Sequence, residues 1–226
     1  MAVLLSLETS TTVCSAALHE NGKLLAFSEL HIPQSASSKL AVIIDDLFKV
    51  CDEKPARIEG VAVSAGPGSY TGLRIGVATA KGLCYGLDIP LISVNTLELM
   101  AYQILALGVS DALLCPMLDA RRMEVYCLLA DQDLTILEAT GAKVIDEFSF
   151  RNWLDKGVIA FFGNGSAKCK GIIDHPNARF IENISPGASS LGELAYKKFE
   201  SRQFEDLSSY EPFYLKDFVA KKPKPA

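Results

Sequence analysis

The sequence predicts an α/β protein made of two consecutive lobes with similar element order. Three observations carry this. Apolar, β-branched runs alternate with segments of helical periodicity, the pattern of sheets covered by helices. A trio of short strands opens each half, at residues 2–7, 12–18 and 23–30 and again at 112–118, 123–129 and 136–143. Between the halves lies a polar break, Gly108, Val109, Ser110 and Asp111.

The first lobe, residues 1–108, starts with the apolar run AVLLSL. Its second and third strands flank Asn21 and Gly22, a two-residue hairpin signal, so the trio reads as an antiparallel meander. Residues 38–51 put Leu40, Ile43, Ile44, Leu47 and Phe48 at helical spacing on one face. A strand at 58–63, a glycine-punctuated helix at 71–87, a strand at 91–94 and a helix at 96–107 complete the order βββαβαβα. The second lobe, 109–216, repeats the trio. It continues with a helix at 147–155, a strand at 158–162, a Gly163-Asn164-Gly165 turn and a helix reaching 173. A strand at 178–181 and a helix at 189–200 follow, the last free to pack back on the first lobe. Residues 217–226, ending KKPKPA, form a basic, proline-broken tail expected to be disordered. The halves match in element order without a residue-level repeat.

With 226 residues and 49% hydrophobic side chains, the chain has ample material for buried cores. Its net charge of −5 and pI near 5.3 give no overall attraction to nucleic acid or anionic membrane. The six cysteines, 14, 51, 84, 115, 127 and 169, are scattered without a C-x-x-C pair and sit mostly in apolar runs, as buried thiols of a reduced compartment do. The N-terminus has no basic n-region, and no stretch of about 18 apolar residues occurs. A soluble, cytoplasmic protein is expected.

Residues 64–74, SAGPGSYTGLR, are the most informative stretch. They join a buried strand to a helix that Ser69 or Thr71 is placed to cap. Gly66 and Gly68 free the backbone on either side of Pro67, which leaves amides beside the positive end of a helix dipole. This makes Gly66, Gly68 and Ser69 an anion-site candidate, set against the plainer reading of a tight turn that binds nothing. Named nucleotide motifs fail on spacing. The first lysine, Lys81, lies two to three turns into the helix, too far for a Walker A loop. Gly66, Gly68 and Gly72 spell G-x-G-x-x-x-G, one residue longer than a dinucleotide fingerprint. Further weak anion candidates are Glu8 and Thr9 at the end of the first strand, and Gly163 and Gly165 in the second-lobe turn. An isolated strand-end carboxylate such as Glu8 also reads as a hydrogen-bonded structural group. Behind the junction, Gly72, Gly76 and Ala80 recur every four residues as one smooth stripe, fit for close packing inside the lobe or against another subunit.

Two βββαβα halves with polar or glycine turns after their strands resemble the actin-like ATPase architecture (ribonuclease H-like), in which nucleotide lies between the lobes. At residue level the chain resembles the TsaB (YeaZ) family. The match rests on Leu7-Glu8-Thr9-Ser10, GPGSYTGLRIG from Gly66 to Gly76, PLISVNT from Pro90 to Thr96, LDARRMEVY from Leu118 to Tyr126, and PFYLK from Pro212 to Lys216. The resemblance implies a part in making threonylcarbamoyladenosine at position 37 of tRNAs that read ANN codons. In that role the chain pairs with a TsaD-like paralogue and a TsaE-like ATPase, meets tRNA only through the complex, and does not itself transfer the threonylcarbamoyl group. It implies that helices 38–51 and 71–87 form the pairing face, with Leu40, Ile44, Gly72, Gly76, Thr79 and Ala80 in it, and that the same face supports a homodimer when the partner is absent.

The chemistry is read in the same direction. No two of His19, His31 and His175 lie one helical turn apart, so no paired-histidine metal site is expected, and His19 and His175 read as solvated loop residues. The first turn, Glu8-Thr9-Ser10-Thr11-Thr12, has neither the aspartate nor the glycine of a magnesium–phosphate turn. No cofactor is expected. Asp119, Arg121, Arg122 and Glu124 read as a solvated hairpin or as a partner-ordered one. The alternative function is a small-molecule kinase or ATPase of the same fold. A metallopeptidase is disfavoured, since H-E-x-x-H and G-x-S-x-G are both missing.

Overall fold

β1 (Val3–Glu8) runs through the centre of a five-stranded sheet, flanked by β2 (Cys14–Glu20) on one side and β4 (Ile58–Gly66) on the other. The computed structural model describes residues 2–216; the tail called at 217–226 lies outside the described residues. β3 (Lys23–Leu30) pairs antiparallel with β2, β5 (Leu91–Asn95) pairs parallel with β4, and the order is β3-β2-β1-β4-β5. The β2–β3 turn uses Asn21 and Gly22 at φ 49° and 76°, the left-handed pair that a two-residue hairpin needs. Every residue of β1 is buried, because helices cover both faces of the sheet at that point.

The second sheet repeats this topology. β6 (Leu113–Asp119), β7 (Glu124–Ala130) and β8 (Ile136–Val144) form the antiparallel trio, and β9 (Ile159–Phe162) and β10 (Ala178–Ile181) continue in parallel beyond β6. The order β10-β9-β6-β7-β8 is the first sheet's order with each number raised by five and the sheet read from its other edge.

Helices differ between the halves. α1 (Ala36–Val50) and α2 (Tyr70–Leu87) lie on one face of the first sheet, where Leu40, Ile44, Leu47 and Val77 pack on Leu5, Leu7 and Val61. The helix expected at 147–155 shrinks to one turn, α4 (Arg151–Leu154). Asp146 Oδ1 accepts from Phe148 N and Ser149 Oγ, a local turn that competes with helix, and Phe150 sits at φ 63°. The helix expected to reach 173 is a 3₁₀ turn over Ala167–Cys169, with Cys169 and Ile173 still anchored in the core.

The remaining two helices tie the lobes together. α3 (Thr96–Ala106) follows the first sheet but buries Leu97, Met100 and Ile104 against Leu114, Leu128 and Phe162 of the second. α5 (Ala188–Glu200) follows the second sheet but packs Leu191 and Ala195 on Leu4, Ala62 and Ile92 of the first. The approach of α5 is so close that His19 fills the space a Cβ on Gly192 would need. His19 is therefore a correction to the solvated-loop expectation: it lies in β2, fully buried, with Nε2 2.8 Å from the Ser189 carbonyl oxygen that it donates to. Burial pushes its pKa down. His175 is also mostly covered, its side chain 13% exposed, with Nδ1 accepting from Asn177 N and Nε2 3.3 Å from Asp155. Five of the six cysteines are buried and Cys51 is half-buried, all as free thiols. No helix among the described residues is long and apolar enough to cross a membrane.

Candidate functional site: the interlobe cleft

The carboxyl ends of β1, β4, β6 and β9 converge on a cleft of about 760 Å³ between the sheets, the place where open α/β sheets usually receive ligands. Its first-lobe wall is the turn after β1, with Ser10, Thr11 and Thr12, and the start of α2, with Ser69 and Thr71.

Glu8 does not face this cleft as a free acid. It is fully buried, with Oε1 accepting from Ser10 N at 2.6 Å and Oε2 accepting from the Ser64 hydroxyl. Burial dominates those bonds and lifts its carboxyl from the usual 4.5 to about 7. Thr9, 1% exposed, donates its hydroxyl to the Gly72 carbonyl at 2.8 Å and so fastens the turn to α2.

The glycine junction is used internally. Ser69 is the cap of α2, its hydroxyl accepting from Gly72 N, while its own amide donates to Ser10 O at 2.6 Å. Gly66, at φ 111°, has the Phe213 carbonyl oxygen where a Cβ would stand, and Gly68 has the Ser10 backbone there. These glycines are required by close chain crossings, and the amides that spacing offered to an anion are partly taken by the chain. Gly163 and Gly165 behave alike. Both press on the backbone of β6, and Gly165 N donates to Met117 O at 3.0 Å. Only Asn164 of that turn reaches the cleft, accepting from Asp119 N at 2.9 Å.

The second-lobe wall is the β6–β7 hairpin. Lys168 holds it from beneath, pairing with Asp119 and donating to the carbonyls of Arg122 and Glu124 at 2.8 and 2.6 Å. Arg121 and Arg122, at φ 68° and 49°, form the exposed tip. The charged hairpin is thus ordered from within the chain.

The third wall could not be foreseen from local sequence. After α5 the chain returns along the first lobe: Glu205 N bonds Leu91 O, Lys81 Nζ donates to Tyr210 O at 3.1 Å, and Phe213 N donates to Ala65 O at 2.7 Å. Tyr214 then packs its ring at a tilt against Tyr70, centroids 5.0 Å apart, with Arg74 over the same Tyr70 ring at 4.4 Å. Lys216 crosses to the other lobe and pairs with Glu124.

The residues that the family resemblance placed in a partner face are turned inward. Leu40, Ile44, Gly72, Gly76 and Ala80 are all buried in the chain's own core, and Thr79 is half-buried. A Cβ on Gly72 would meet Thr9 O, and one on Gly76 would meet the Thr9 hydroxyl. The stripe serves the crossing of α2 over the first turn, the packing inside the lobe that its spacing offered, and not the partner contact that the resemblance implied. The outer face of the same two helices presents Val42, 50% exposed, Tyr85, 84% exposed, and Gly82 and Gly86, which have open space around them. Among the described residues no three His, Cys, Asp or Glu side chains are grouped to hold a metal ion.

Doubled mixed sheets, helices exchanged between them and a cleft at the strand ends define the actin-like ATPase fold. The activator of the 2-hydroxyisocaproyl-CoA dehydratase from Clostridium difficile, solved with bound ADPNP, shares this fold at a TM-score of 0.51 and 10% identity, with 89% of this chain and 96% of that one covered. YeaZ from Pseudomonas aeruginosa matches more closely, at a TM-score of 0.82 and 24% identity over 95% of this chain and all of that one. The family described as TsaD: tRNA N6-adenosine threonylcarbamoyltransferase matches residues 32–224. The tRNA threonylcarbamoyladenosine biosynthesis protein TsaB of Bacillus subtilis (strain 168) is 34% identical over 220 residues, 94% of this chain and 93% of that protein. The chain belongs to the TsaB (YeaZ) family of TsaD-related proteins.

Proposed function

We propose that the chain is a non-catalytic, cytoplasmic subunit of tRNA threonylcarbamoyladenosine synthesis, pairing with a TsaD-like transferase and acting with a TsaE-like ATPase at position 37 of ANN-reading tRNAs. The observation that carries the pairing is the outer face of α1 and α2. Val42 of α1 and Tyr85 of α2 stand exposed and Gly82 and Gly86 of α2 lie open, a combination of large apolar anchors and flat ground that suits close packing of another helix pair. Each of these interior glycines costs about 0.5–1 kcal/mol relative to alanine, which docking offsets. The same face supports a homodimer when the partner is absent.

The kinase or ATPase alternative draws on the cleft volume, but both oxygens of Glu8 are engaged, and Asp119 and Glu124 are paired with lysines. A magnesium–phosphate group would need one of them released. Light scattering of the chain mixed with its cognate transferase subunit tests the pairing. A one-to-one complex is expected, and Gly82→Arg, whose Cβ would meet no neighbouring atom in the chain, should abolish it without lowering the melting temperature. Failure to form the complex, or a Gly82→Arg variant that still assembles and still supports cellular threonylcarbamoyladenosine, defeats the reading.

A further inference from the structure

The mouth of the cleft carries charge that the fold does not use. Asp119 is neutralised by Lys168 and Glu124 by Lys216, whereas the guanidinium groups of Arg121 and Arg122 have no hydrogen-bond, ion-pair or ring partner among the described residues. Both are exposed at a hairpin tip held rigidly from below by Lys168. Both also adopt left-handed backbone conformations, which cost a residue with a Cβ about 1–2 kcal/mol each. Two adjacent, exposed and unpaired arginines beside carboxylates already paired with lysines make a local positive site.

The opposite wall is rich in hydroxyls. Ser10, Thr11, Thr12, Ser69 and Thr71 line it, and the Ser10 hydroxyl is buried without a hydrogen-bond partner. Tyr126 and Tyr214 add amphipathic rings. The wall's hydroxyls donate as well as accept and the only unpaired charge at the mouth among the described residues is positive, so the cleft suits a ligand bearing phosphate and sugar. Because the local carboxylates are spent, the ligand's charge has to be balanced by guanidinium groups, which clamp phosphate in a bidentate manner. A cleft of about 760 Å³ has room for one nucleotide and not for a duplex.

We propose that this mouth binds single-stranded loop RNA directly, with Arg121 and Arg122 holding a phosphodiester and the hydroxyl wall receiving one unstacked nucleotide. The proposal rests on the reading of the chain as a tRNA-modification subunit, and replaces an indirect meeting with tRNA by a contact of its own. Single-stranded loops are the RNA regions whose nucleotides can be splayed into such a cleft.

The test is fluorescence anisotropy of a labelled anticodon stem-loop RNA with the full chain, across a salt series. One phosphodiester neutralised on a single strand gives a log–log salt slope of about −0.7. Arg121→Asn with Arg122→Asn should lower affinity about tenfold or more and flatten the slope, since the charge-assisted bonds go. Asparagine tolerates the left-handed backbone, so the melting temperature should not move. The Arg→Lys pair should retain the slope and lose part of the affinity. RNA binding that is absent at low salt, or unaffected by the asparagine pair, overturns the proposal. So does Mg-ATP that competes the RNA off and itself depends on both arginines, because the mouth is then a nucleotide site. Light scattering with the transferase subunit is run on the same variants. For the unaltered chain, RNA binding without assembly refutes only the pairing, and assembly without RNA binding refutes only this proposal; in the asparagine pair, RNA binding should fall while assembly persists.

Discussion

Replacing Glu8 by glutamine should make the protein more stable at pH 8 and leave it nearly unchanged at pH 4.5. Glu8 is fully buried at the end of β1, and burial raises its carboxyl from 4.5 to about 7. Between these values the folded protein holds a proton that the unfolded chain has released. Stability from this group is therefore present below pH 4.5, falls as pH rises toward 7, and is lost above it. A shift from 4.5 to about 7 corresponds to about 3 kcal/mol at the upper limit. Glutamine keeps the shape, can still accept from Ser10 N, and can donate to the Ser64 hydroxyl that Glu8 now accepts from, so neither polar atom is orphaned. Urea unfolding followed by circular dichroism, at half-unit steps from pH 4.5 to 8, should show the variant's advantage opening from near zero to about 3 kcal/mol. An advantage that stays constant over the range would refute the argument that desolvation controls this carboxyl. One that widens toward low pH would reverse it.

Two further substitutions test the packing. Gly72→Ala should destabilise by about 2 kcal/mol or more, because its Cβ meets the Thr9 backbone, whereas Gly82→Ala in open space should stabilise α2 by about 0.5–1 kcal/mol; equal effects in thermal melts would contradict the assignment of inner and outer faces. Gly192→Ala places a methyl on the His19 ring and should cost about 1–3 kcal/mol despite alanine's helix preference, with loss of the Nε2 bond to Ser189 visible by NMR of the imidazole.

Much of the fold was legible because its signals are local. The Asn21-Gly22 hairpin, the period of Leu40, Ile43, Ile44, Leu47 and Phe48, and the Ser69 cap each act within a few residues, and each stands as read. The helices at 147–155 and up to 173 were over-read where an Asp146 turn, a left-handed Phe150 and flanking glycines outweighed apolar spacing. In the cleft, the turns were found but their use was not. Glycine recurrence tells that something approaches closely, not what: at Gly72 and Gly76 it is Thr9, at Gly192 it is His19. The partners of Lys168 and Lys216 left no signal, since what they hold lies 44 to 92 residues away along the chain.

The amino-acid sequence alone determined the class of fold, its two-lobed order and the family, because hydrophobic period, turn chemistry and the motif around residues 64–76 are written in adjacent positions. Only the tertiary structure decided which helix covers which sheet, which face of α2 is free, and that two arginines remain unpaired in the cleft. The physical reason is that a side chain's partner is chosen by packing between distant segments. Spacing says that a surface is smooth, apolar or charged, and the exchange of α3 and α5 between the sheets settles what that surface meets.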